Sequence, residues 1–130
     1  MDSRHVSIIA HPTGRLIGER EPYEVDAEAI VAAAADSGCC LELNADPDRL
    51  DLTDIHAHAA RSAGVKLAIS TDAHALAGFA NMRFGVDQAR RAWLEPADVI
   101  NTLPLSRSRK LPEAIIGTLI LRNNVLRPSR

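Results

Sequence analysis

Three short apolar runs in this chain each stop abruptly at polar or proline-bounded residues, and this punctuation constrains the fold more than any other feature of the sequence. Val6 to Ala10 ends at His11-Pro12, Cys39 to Asn44 ends in the polar stretch Ala45 to Leu52, and Val65 to Ser70 ends at Thr71-Asp72-Ala73-His74. A proline cannot donate to a central ladder, so the first run reads as a buried strand that leaves its sheet at His11. Helix signals lie between the runs. Asp26 reads as the N-cap of a helix over 27–36 that Gly38 stops, and Thr53 or Asp54 caps a second helix running to about Ala63, ended by Gly64.

Strand, loop and helix repeated in this order predict consecutive βαβ units on a parallel sheet, hence an α/β fold. Parallel sheets and barrels of this kind gather their chemistry at the carboxyl ends of the strands. Here those ends carry His11, Asn44, Asp72 and His74. Farther along, Gly85 to Trp93 reads as a helix, and Glu95-Pro96-Ala97-Asp98 opens another with proline at its first position. There is no internal repeat and no low-complexity tract.

Composition excludes several classes. At 130 residues, 46% apolar and 25% charged, the chain suits one soluble domain. No run of about 18 apolar residues offers a membrane span, and no charged, apolar, small-residue leader is present, so a cytoplasmic protein is expected. Cys39 and Cys40 are neighbours inside an apolar run, which predicts buried thiols and not a disulfide or a zinc knuckle. The net charge of -2 conceals an asymmetry: residues 1–106 carry nine basic and sixteen acidic side chains (-7), residues 107–130 six basic and one acidic (+5). So acidic a body repels phosphate backbones, so any nucleic-acid affinity must be local or supplied by a partner. An aromatic content of 3% points the same way, since single-strand binders use stacking platforms.

Asp72 and His74, two positions apart at a strand's end, can both reach a zinc, manganese or iron ion if the chain bends there. On spacing alone the pair fits a helix-capping loop equally well. His11, from a separate strand on the same edge, raises the count to three N/O ligands, the minimum for a metal site; its alternative is a strand-terminal histidine bonded to backbone. His56 and His58 lie two apart within a helix, point to opposite sides and are expected to be exposed, as is His5. Arg15, four residues after His11, suits a phosphate oxygen through its bidentate fork or a salt bridge to a nearby carboxylate. Arg49 has the same two readings. Glu42, between Leu41 and Leu43, must face a polar interior or bind an arginine, and Trp93 is expected in the core.

Taken together, His11-Pro12-Thr13-Gly14-Arg15-Leu16, Arg20-Glu21-Pro22-Tyr23-Glu24-Val25-Asp26, Leu41-Glu42-Leu43-Asn44-Ala45 with Asp48-Arg49-Leu50-Asp51-Leu52, Ser70-Thr71-Asp72-Ala73-His74, and Met82-Arg83-Phe84-Gly85-Val86 with Ala89-Arg90-Arg91-Ala92-Trp93-Leu94 resemble the PHP (polymerase and histidinol phosphatase) domain at the C-terminus of bacterial family X DNA polymerases. Asn101-Thr102-Leu103 resembles that domain's closing segment. The resemblance implies a distorted, here partial, (β/α) barrel over residues 1–105, with 106–130 a basic tail it does not cover. It implies a multinuclear manganese or zinc centre that hydrolyses phosphoesters, with 3′ to 5′ DNA exonuclease activity in repair, the ions lowering the pKa of a bound water and clamping the phosphate. His11, Asp72 and His74 match late metal ligands of the pattern, and Arg15, Asn44 and Arg49 stand where they would meet substrate phosphate.

The departures are as informative. The pattern's early ligands, including the His-x-His of its first barrel strand, have no counterpart here, and His56-x-His58 falls where the family has a helix. The expectation is therefore the C-terminal part of a PHP domain that binds one divalent ion weakly and is weakly active or inactive alone, acting on DNA or another phosphoester once its missing N-terminal portion is supplied. Two rivals stand beside it. One is a non-catalytic module that completes its barrel with a partner or by self-association, since a partial barrel leaves strand edges and apolar faces uncovered. The other is a small stand-alone PHP phosphoesterase. No membrane association is expected.

Overall fold

Alternating side chains decide which side of the sheet each residue serves, because successive residues of a strand point to opposite faces. The computed structural model describes residues 8–104. His5, the start of the first expected strand at Val6 and the basic tail 106–130 lie outside the described residues. Strands β1 (Ile8–Ile9), β2 (Cys40–Asn44) and β3 (Leu67–Ser70) form a parallel sheet in the order β1-β2-β3. Ile8 is in register with Cys40, Leu41 with Leu67, and Asn44 with Ser70. The α/β expectation is met, and three parallel strands with intervening helices are compatible with a partial barrel.

Ile9, Leu41, Leu43, Leu67 and Ile69 share one face and enter the hydrophobic core. Helices α1 (Ala27–Ser37), α2 (Asp54–Ser62) and α3 (Met82–Arg91) supply Ile30, Val31, Ala34, Ala57, Ala60 and Ala89 to that core. The small alanines let the helices approach closely. Both caps of α1 form as expected: the Asp26 carboxylate accepts from Ala29 N at 3.0 Å, and Gly38 takes the left-handed conformation at φ 71°. Thr53 caps α2, and Cys39 and Cys40 are buried thiols.

Past α3 the chain departs from expectation. The helix ends at Arg91, because Ala89 O accepts from Leu94 N and Arg90 O from Trp93 N, each at 3.0 Å. This is a Schellman closure with Trp93, at φ 62°, in the left-handed position glycine usually takes. Leu94 therefore packs against the core, and Trp93 is 74% exposed rather than buried. The segment opened by Glu95 is a single 3₁₀ turn, Pro96–Asp98, closed by a reciprocal capping box. Beyond it Val99 bridges Leu67 in parallel, and the Asn101 side chain bonds β3 as a strand would: its Oδ1 accepts from Ile69 N at 2.8 Å and its Nδ2 donates to Ile69 O at 2.9 Å. No helix among the described residues is long and apolar enough to cross a membrane.

Candidate functional site at the strand carboxyl ends

Cys40, Glu42, Asn44, Ala68 and Ser70 occupy the sheet face away from the helices, as the register requires. Of the two fates open to Glu42, the polar face is the one it meets. Buried there, it accepts from His11 N at 2.5 Å through Oε2 and from the Ser70 hydroxyl through Oε1. One carboxylate thus ties the ends of β1 and β3 across β2. It needs no arginine, because an N–H and an O–H donor offset its loss of hydration.

A second carboxylate, unmarked by the sequence reading, organises the loops above. Asp51 is fully buried, and its Oδ2 accepts from the Thr13 and Gly14 amides at 2.9 and 3.1 Å. Its own carbonyl accepts from Asn44 N at 2.5 Å. The loop bearing His11 is thereby bound to the loop bearing Arg49. The Tyr23 ring lies over Gly14, close enough that an added Cβ would stand 2.1 Å from Cε2. Arg20 donates to Gly14 O at 2.7 Å and sits 5.0 Å over the Tyr23 ring. Thr13 Oγ1, Asn44 Nδ2 and Asp51 Oδ1 are buried without hydrogen-bond partners among the described residues. The signal available for Asp51 was its place two residues before the α2 N-cap in an otherwise solvated loop.

Arg15 makes no salt bridge among the described residues. Its guanidinium donates to the Arg49 carbonyl at 2.6 Å and to the Leu50 carbonyl, so backbone holds it beside Arg49. Arg49 faces Asp72, Nε to Oδ2 3.6 Å. His11, Leu50 and Asp72 all take positive φ, at 29°, 44° and 53°. Non-glycine residues seldom do so, and such strain collects where a fold must present particular groups. His74 is exposed, its Nδ1 2.7 Å from Asp72 O.

His11, Asp72 and His74 thus stand on the expected edge, but they do not gather there into a preformed ligand cluster. Among the described residues no three His, Cys, Asp or Glu side chains group closely enough to hold one. The Asp72 carboxylate is engaged by the Arg49 cation, and the Asn44 carbonyl oxygen already accepts from Asp46 N at 2.9 Å. His58 is exposed as expected. His56 departs from expectation: it is half-buried, with Nδ1 enclosed and without a partner among the described residues. Away from this edge, Asp54, Ile55, His58, Arg91 and Trp93 line a cleft of about 460 Å³ between α2 and the end of α3. Arg91 and Asp54 pair across it at 3.5 Å.

Fold and edge together define an α/β chain whose parallel strands deliver two histidines, a carboxylate and two guanidinium groups to one rim. No family model matches the sequence. It is 45% identical over 116 residues, 89% of its own length, to DNA polymerase/3'-5' exonuclease PolX of Bacillus subtilis (strain 168). The chain spans 20% of the length of that relative. The resemblance to that PolX extends over most of this chain.

Proposed function

We propose that this chain is a C-terminal PHP-type segment of a PolX-like protein and that its strand-end rim receives the phosphodiester of DNA for 3′ to 5′ trimming in repair. The relationship to PolX over 89% of the chain carries this reading. Arg49 and Arg15 are the phosphate-binding groups. Backbone carbonyls fix Arg15, and the Nε contact of Arg49 with Asp72 leaves its Nη nitrogens to form a fork toward an anion. Asn44 Nδ2, buried and without a partner among the described residues, is a further donor beside this rim. His11, Asp72 and His74 are this chain's share of a manganese or zinc ligand set that donors from outside it complete. Alone, the chain binds a single ion weakly and trims DNA poorly or not at all. The setting would be the cytoplasm.

To test this, the purified chain is titrated with manganese and with zinc by calorimetry and assayed on 3′-labelled single-stranded DNA. Weak binding of one ion, diminished in His11→Ala and Asp72→Ala, is expected. Robust metal-dependent trimming that survives both substitutions would overturn the ligand assignment. A second reading, a module that assembles with a partner or with itself, is favoured by one observation: Ile55 and Trp93, 75% and 74% exposed, line the same cleft. Sedimentation of the chain as a monomer at high concentration would count against self-association.

A further inference from the structure

Immediately after His74 the chain forms a 3₁₀ helix, Leu76–Asn81, in which no residue is buried, and then enters α3 at Met82. A 3₁₀ helix repeats every three residues, so side chains at i and i+3 stand one above the other. Leu76, Phe79 and Met82 follow that spacing, with Met82 at the junction, and are 87%, 64% and 37% exposed. They form one apolar row facing solvent. The helix is pinned from beneath, since a Cβ at Gly78 would lie 2.9 Å from the Ala73 Cβ. Ala73 sits between Asp72 and His74, so the row is continuous with the rim already described.

Resting on the phosphodiester reading above, we propose that this row is the platform for the nucleobases of a single strand whose phosphates lie at Arg49 and Arg15. Three observations select that occupant. From Ala73 to Val86 there is no carboxylate, only His74 and Arg83, in a chain whose first 106 residues are otherwise strongly acidic; the Arg83 guanidinium lies 4.6 Å over the Phe84 ring. This is the local cationic window that the acidic body requires for a polyanion. The row rises about 6 Å per step, nearly twice the stacked base spacing of about 3.4 Å, so each side chain fits between neighbouring unstacked bases. Finally, a row of three side chains falls well short of the roughly 800 Å² that each partner buries in a stable protein interface, whereas one aromatic face suffices for a base.

The test uses the full chain and fluorescence anisotropy with two probes, an oligothymidylate and an abasic oligonucleotide of equal length and charge. The oligothymidylate binds more tightly. Phe79→Ala weakens oligothymidylate binding by about 5- to 100-fold and leaves abasic binding unchanged, while Phe79→Trp restores the difference. Phe79 is exposed, so circular dichroism of these variants matches the parent. Arg49→Gln weakens both probes alike. If Phe79→Ala affects both probes equally or neither, the platform is refuted, while the phosphodiester reading stands wherever Arg49→Gln still weakens abasic binding. If the parent binds neither probe, both readings fall. A change in sedimentation of Phe79→Ala without any change in oligothymidylate affinity would show the row to be a contact between copies and overturn the proposal.

Discussion

Replacing Asp51 by alanine removes the acceptor that the Thr13 and Gly14 amides share at 2.9 and 3.1 Å. Both residues are buried, so water does not take its place. Each buried amide left unpaired costs about 1–3 kcal/mol, or about 2–6 kcal/mol for the pair. Part is returned because the substitution also deletes Oδ1, a buried oxygen without a partner among the described residues. We expect a net loss of about 2–4 kcal/mol, which at a urea slope of about 1–3 kcal/mol/M lowers the midpoint by roughly 0.7–4 M. Asp51→Asn keeps an acceptor oxygen that both amides can share but loses the carboxylate charge, and should cost less than Asp51→Ala. Urea unfolding followed by circular dichroism measures the loss, and amide hydrogen exchange at Thr13 and Gly14 localises it. An Asp51→Ala midpoint within about 0.3 M of the parent, or unaltered protection of those two amides, would refute the role given to this carboxylate.

Further outcomes follow from other residues. Trp93→Gly should raise stability by up to about 1 kcal/mol in the same urea assay, because an exposed side chain leaves a left-handed position that glycine adopts without strain; a loss would show that the indole makes a stabilising contact. Gly14→Ala should be destabilised by at least about 2 kcal/mol, from a φ of 62° and a Cβ driven into the Tyr23 ring; thermal unfolding of Gly14→Ala alone and with Tyr23→Ala separates the backbone cost from the clash. Burial pushes the Cys40 thiol above its ordinary 9.0, Cys39 adds to the rise and Lys66 opposes it. The unfolded thiol ionises first, so this contribution is intact below the ordinary value and lost as pH climbs through the folded one. Stability of the parent should therefore fall more steeply than that of Cys40→Ala between about pH 8 and 10, and equal slopes would contradict it.

The elements most legible in the sequence were those with local causes. Asp26 and Gly38 bound α1 because a cap depends on a few neighbouring residues, and the strand ends at His11, Asn44 and Ser70 were marked by proline or polar side chains. Trp93 leaves its expected core position because the backbone turns it into the left-handed region, which helical periodicity does not signal, and the core position passes to Leu94. The helix expected from Glu95 shrank to one turn, since a capping box fixes a start but supplies no apolar face to extend it. Edge membership of His11, Asp72 and His74 is legible; the pairing of Asp72 with Arg49 is not, because the two lie 23 residues apart in sequence. Asp51 carried no pattern of its own, for its two partners lie 38 and 37 residues away.

The Asn101 clasp on β3 has a consequence for how the sheet can grow. By answering both the donor and the acceptor of Ile69, one amide side chain takes up the sockets that an incoming strand would use. A chain arriving on that side must first dislodge the amide and surrender two hydrogen bonds, so the flank is sealed against fibril-like stacking of copies. Any strand that extends the sheet without breaking existing bonds has to dock beside β1, the flank next to His11. Enlarging the sheet and finishing the rim would then be a single event.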